Sequence, residues 1–127
     1  MNGFPDPVMA KSTSQPATIR IRIGVGENIA IGQGKADILE AIARTGSISA
    51  AARELEMSYR KAWMLVDEMN QCFRSPVVVA AKGGPQGGGA TVTPLGLEAL
   101  ARFRKIQAEA SEAIARDVRD FRKLLLG

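Results

Sequence analysis

The apolar positions of this chain change period twice, and each change marks an element. Ile19-Arg20-Ile21-Arg22-Ile23 alternates apolar and polar side chains, the period of a half-buried strand. Gly24-Val25-Gly26-Glu27-Asn28 supplies turn residues, after which Ile29-Ala30-Ile31 is expected to pair back as a short hairpin. From Lys35 the spacing becomes helical. Ile38, Leu39, Ile42 and Ala43 share one face, and Thr45-Gly46 ends the helix with a residue able to adopt the left-handed conformation. Ser47 is placed to cap a second helix, whose buried face is Ile48, Ala51, Ala52 and Leu55. Met57 follows, and Ser58 is placed to cap a third helix with the stripe Ala62, Leu65, Val66, Met69 and Phe73. Trp63 lies beside that stripe and is expected to pack in the core.

Pro76 stops the third helix. Val77 to Ala81 reads as a strand. Gly83-Gly84-Pro85-Gln86-Gly87-Gly88-Gly89 reads as a loop that sustains neither helix nor strand, and Ala90 to Thr93 reads as the returning strand. Thr93-Pro94 puts a cap before a proline at the first helical position. One long helix is expected from there to about Leu126. Its apolar positions Leu100, Phe103, Ile106, Ala110, Ile114, Val118, Phe121 and Leu125 recur at steps of three and four, close to a heptad seam. A small three-helix core cannot bury so long a seam, so it is expected to pair with its copy in a second subunit. The fold class is therefore mainly α with a small β component. It comprises a winged helix-turn-helix with an N-terminal hairpin over 18–93 and a long C-terminal dimerisation helix over 94–127. A disordered leader is expected over 1–17, where Pro5, Pro7 and Pro16 stand among Ser and Thr.

Composition removes several functions. The chain has 127 residues, 46% apolar and 24% charged, which suits one soluble domain. No stretch approaches the ~20 apolar residues of a membrane span. The N-terminus lacks a basic region followed by an apolar run, so no secretory signal is expected. Cys72 is the single cysteine, which excludes an intrachain disulfide and fits a cytoplasmic location. There is no histidine, so the commonest general base and metal ligand are missing, and no thiolate–imidazole zinc site can form. Gly24 and Gly26 make no dinucleotide fingerprint, because Ile29 stands where the third glycine belongs. Neither an enzyme nor a metal site is expected. Cys72 reads as helix surface rather than a nucleophile, because no base stands ready to activate it. The net charge is +4, and its placement is informative. Residues 1–57 carry six basic and six acidic side chains, whereas 58–127 carry eleven basic and seven acidic. Such an excess fits a polyanionic partner.

Two short helices joined by a tight corner and followed by a β-hairpin describe a motif whose second helix presents its first turn to the major groove of DNA. Here that turn is Ser58-Tyr59-Arg60-Lys61. Arg60 and Lys61 suit base edges or phosphates, or else simply begin a solvated helix. Ser58 suits both a cap and a phosphate contact, and Tyr59 either DNA contact or packing. Ser47 and Ser49 open the first helix of the pair and stand with them as candidate DNA contacts. Lys82, Gly83, Gly84 and Gly88 form a wing whose glycines let backbone N–H groups approach phosphates closely, or else a plain loop tip. The partner expected is double-stranded DNA. The rival is a winged-helix module that docks on another protein.

Three stretches together resemble a known family. They are Gly46-Ser47-Ile48-Ser49-Ala50-Ala51-Ala52, Met57-Ser58-Tyr59-Arg60-Lys61-Ala62-Trp63 with Glu68-Met69-Asn70, and Gly83-Gly84-x-x-Gly87-Gly88-Gly89-Ala90-x-Val92-Thr93-x-x-Gly96. They resemble the N-terminal DNA-binding domain of ModE-type molybdate-dependent regulators, and the helix pair alone is similar to the wider LysR-type regulators. The resemblance covers about residues 18–126. It implies a winged-helix homodimer that binds operator DNA of molybdenum-related genes, usually as a repressor. In that family molybdate is held by separate small β-barrel domains after the DNA-binding part. No counterpart of them is expected here, so molybdate is implied through the resemblance alone. A small oxyanion-binding protein is the remaining alternative.

Overall fold

The computed structural model of the chain describes residues 18–81 and 89–125. The leader expected over 1–17 and the wing residues Lys82, Gly83, Gly84 and Gly88 lie outside them. The elements run β1 (Ile23–Val25), β2 (Asn28–Ile31), α1 (Gln33–Thr45), α2 (Ile48–Glu54), α3 (Tyr59–Cys72), β3 (Val78–Ala81), β4 (Gly89–Val92), α4 (Pro94–Ala113) and α5 (Ala115–Arg122). Among the described residues, five helices and two antiparallel two-stranded sheets give a mainly α winged helix with a long C-terminal helix.

The first hairpin departs from the expected strand. Residues 19–22 are not in a strand, and the pairing begins only at Ile23, opposite Ile31. Of the alternating isoleucines only Ile21 is partly buried, packed against the core, while Ile19 and Ile23 remain exposed. The turn is tighter than expected, a two-residue loop at Gly26-Glu27, with Gly26 at φ 60. A two-residue hairpin loop with positive φ at its first position favours glycine there.

Residues 20–106 form one compact unit. Its core is built on α1, whose Ile38, Leu39 and Ile42 are fully buried. Gly46 ends α1 at φ 73 and donates its N–H to the Ile42 carbonyl at 2.7 Å, the left-handed cap expected there. Ala51 and Ala52 of α2 and Ala62, Val66 and Met69 of α3 close the core from the other side. Alanines at these crossings let helix backbones approach closely. Phe103 of α4 completes the cluster at 1% exposure. Its burial removes it from the expected dimer seam, and Leu100 is likewise partly buried against this core. The chain has spent both side chains on its own domain.

The wing is fastened at its base. Ala90 of β4 donates to the Gly46 carbonyl at 3.0 Å, and Thr93 N–H donates to the Val77 carbonyl at 2.9 Å. Thr93 also caps α4, its Oγ1 accepting from Gly96 N–H at 3.1 Å and donating to the Pro76 carbonyl at 2.8 Å. Gly96 is required by contact: a Cβ there would stand 2.4 Å from the Val77 carbonyl oxygen.

A second unit takes in the chain beyond Ile106. The expected single helix is divided at Ile114, whose φ −106 and ψ 8 depart from helical values and which serves as the N-cap of α5, its N–H still donating to the Ala110 carbonyl at 3.1 Å. Ala110, Ile114 and Val118 are half-buried, while Ile106, Phe121 and Leu125 are exposed. No residue of α5 is buried. Among the described residues no helix is long and apolar enough to cross a membrane.

Candidate nucleic-acid interface

The helix pair is set by local chemistry. The Ser47 hydroxyl accepts from Ala50 N–H at 3.0 Å, and the Ser58 hydroxyl accepts from Lys61 N–H at 3.0 Å, so both serines act as helix caps. Thr45 supports the first cap, its Oγ1 accepting from Ser47 N–H at 3.3 Å. The corner between α2 and α3 is closed by Met57 N–H donating to the Ala52 carbonyl at 3.0 Å. Glu56 turns this corner with φ 56, the left-handed region in which a side chain is strained.

From that corner α3 emerges with its first turn in solvent. Tyr59, Arg60 and Lys61 are all exposed. Ser49 is exposed on α2 and accepts from Arg53 at 3.4 Å, which places a further cation beside it. Two other charged residues serve the fold instead. Lys35 is 7% exposed, donates to the Ile29 carbonyl and pairs with Glu68 at 3.0 Å, tying α1 to the hairpin and to α3. Arg104 reaches from α4 to Asp37 at 3.0 Å and Glu40 at 2.7 Å on α1.

Trp63 is not in the core. It is 46% exposed and lies one turn after Tyr59. Its angular position explains the difference. Ala62, Val66 and Met69 point inward, whereas Tyr59 and Trp63 face the base of the wing across a cleft of about 310 Å³. Ser47, Ser49, Asn70, Val79 and Gly89 also line it. The cleft thus gathers Ser47, Ser49 and Tyr59, while Arg60 and Lys61 flank it and the remaining wing candidates fall outside the described residues.

Asn70 holds the two walls together. Its Oδ1 accepts from Val77 N–H at 2.8 Å and Val78 N–H at 3.3 Å, and its Nδ2 donates to the Val78 carbonyl at 3.0 Å. One amide thereby satisfies three backbone groups at the start of β3 and fixes the wing against α3. Sequence reasoning had no role for it beyond the motif, because its partners are backbone atoms.

Known proteins are similar to this chain in sequence. The bacterial regulatory helix-turn-helix proteins of the lysR family match residues 35–97. This segment belongs to that family. The chain is similar to the molybdenum-pterin-binding protein MopB of Rhodobacter capsulatus, at 46% identity over 85 residues, 67% of this chain and 32% of that protein. It is 36% identical over 97 residues to the molybdenum transport protein ModE of Azotobacter vinelandii, covering 76% of this chain and 36% of the relative. It is 36% identical over 83 residues to the DNA-binding transcriptional dual regulator ModE of Escherichia coli K12, 63% of this chain and 32% of the relative. The chain spans about a third of the length of these relatives. The LysR-type domain is consistent with the N-terminal domain of ModE-type regulators.

Proposed function

We propose that the chain is the DNA-reading head of a molybdate-linked transcriptional regulator, working in the cytoplasm as a homodimer and usually repressing. One observation carries the reading. The first turn of α3 holds Tyr59, Arg60 and Lys61 in solvent on a helix-turn-helix whose core is closed behind it. In such motifs that turn enters the major groove while the wing lies over the adjacent backbone. The apolar positions of the C-terminal segment that remain exposed, Phe121 and Leu125 among them, support a dimer that presents two reading helices.

Binding of promoter duplexes at several salt concentrations tests this. Affinity should fall steeply with salt, because phosphate contacts release counterions. Arg60→Ala and Lys61→Ala should each weaken binding, and loss of a phosphate contact should reduce the salt slope by about one unit. Unchanged affinity and slope in both variants would overturn the assignment, and salt-insensitive association with a protein would favour the docking module. We assign this chain no molybdate site, so millimolar molybdate should leave its melting temperature unchanged, whereas a rise would make it a receptor.

A further inference from the structure

Trp63 fills no part of the buried core of the domain. The inward face of α3 is filled by Ala62, Val66 and Met69, yet Trp63 is 46% exposed, Tyr59 53% and Met64 51%. Tyr59 and Trp63, four residues apart, stand on one side of the helix. Met64 continues this apolar surface outward. Isolated apolar groups on a surface are ordinary, but three large ones grouped on the exposed side of one helix mark an interaction site.

The surface is continuous with the Arg60–Lys61 turn, and Arg53 stands beside Ser49 on its rim. Cations alone would suffice to hold phosphates. Large apolar side chains instead match the one apolar feature that the major groove offers, the C5-methyl group of thymine. We propose that Trp63, flanked by Tyr59 and Met64, is a specificity-determining residue that packs on thymine methyl groups while Arg60 and Lys61 hold polar base edges or phosphates. This rests on the DNA-reading assignment and adds the base it prefers.

The test uses the duplex that the full chain itself enriches from a random-sequence library. Each thymine is replaced in turn by deoxyuracil, which lacks only the methyl group. The parent should lose roughly fourfold in affinity at discrete positions, the worth of one buried methyl. Trp63→Ala should bind the thymine and deoxyuracil duplexes alike. Trp63 is the sole tryptophan, so its emission reports directly, and it should be quenched on binding and restored by high salt. This last readout needs no variant to fold. A parent indifferent to deoxyuracil, a Trp63→Ala protein with the parent's discrimination, or an unchanged emission would each overturn the role of Trp63 while leaving DNA binding intact. Absence of any salt-dependent DNA binding would overturn the DNA-reading assignment itself.

Discussion

Two stretches of apolar residues in this protein have opposite fates. In residues 20–106 the periodic apolar positions close on one another: Ile38, Leu39, Ile42, Met69, Val77 and Phe103 are each less than 2% exposed. In residues 107–125 a similar periodicity leaves Ala110, Ile114 and Val118 only half-buried, and Phe121 at 59% and Leu125 at 47% stay exposed. The boundary falls within one helix, α4, whose Phe103 belongs to the core and whose residues beyond Ile106 do not. Periodicity therefore reports that a face will be covered, and it does not report by what. Where other elements of the chain are at hand, the face becomes core. In residues 107–125 it stays half-buried or exposed.

Equivalent substitutions on the two sides should give the most unequal result. Phe103→Ala should cost about 3–5 kcal/mol, by lost burial and the cavity left among fully buried neighbours. Phe121→Ala should change domain stability by no more than about 0.5 kcal/mol, as for an exposed site away from special features. Urea titrations of both variants check this. Similar losses would show that the C-terminal segment folds as part of the same core.

The next effect belongs to a polar group inside the well-packed stretch. Asn70→Ala removes the acceptor for Val77 N–H in a buried setting and should cost about 1–3 kcal/mol. It should also loosen the wing, visible as faster amide exchange at Val78 and Ala90. A variant that loses stability with unchanged exchange there would leave Asn70 a helix residue only. Smaller still in folding terms, Phe121→Asp with Leu125→Asp should barely move the melting temperature of the 20–106 unit. The same pair should shift sedimentation from dimer to monomer. A protein that sediments as a dimer regardless would move the subunit contact to another surface.

The features legible in the sequence are those decided within a few residues. Gly46, Ser47 and Ser58 announce caps because the groups they satisfy lie within four positions. Ala51, Ala52, Ala62 and Val66 announce their burial by helical spacing. Trp63 departs from its expected place in the core because its angle on α3 borders that of Val66, and only the placement of β3 decides whether that border is core or cleft. Lys35 shows the converse, a charge buried because Glu68 and the Ile29 carbonyl, distant in sequence or hidden in backbone, receive it. Asn70 and Gly96 belong with it, since both answer to backbone atoms of Val77. Of the candidate site, Tyr59, Arg60 and Lys61 stood out by following a cap, whereas the cleft beside them required the fold.

A gain in stability sharpens the contrast from the other side. If the 20–106 core is already full, added volume should only harm it, and improvement should come from the backbone. Glu56 is the one described residue other than glycine with positive φ, at 56. A side chain in that region costs roughly 1–2 kcal/mol. Glycine removes this strain but returns part of the gain, because its unfolded chain is freer by about 0.5–1 kcal/mol. Glu56→Gly should therefore stabilise the domain by about 0.5 kcal/mol and raise its melting temperature by roughly 2–4 °C. The change lies at the corner of the helix pair, so promoter affinity at fixed salt should stay at the parent value. A loss of stability would mean that the Glu56 side chain contributes more than its backbone costs. A loss of affinity with stability gained would mean that the corner sets how α3 is presented.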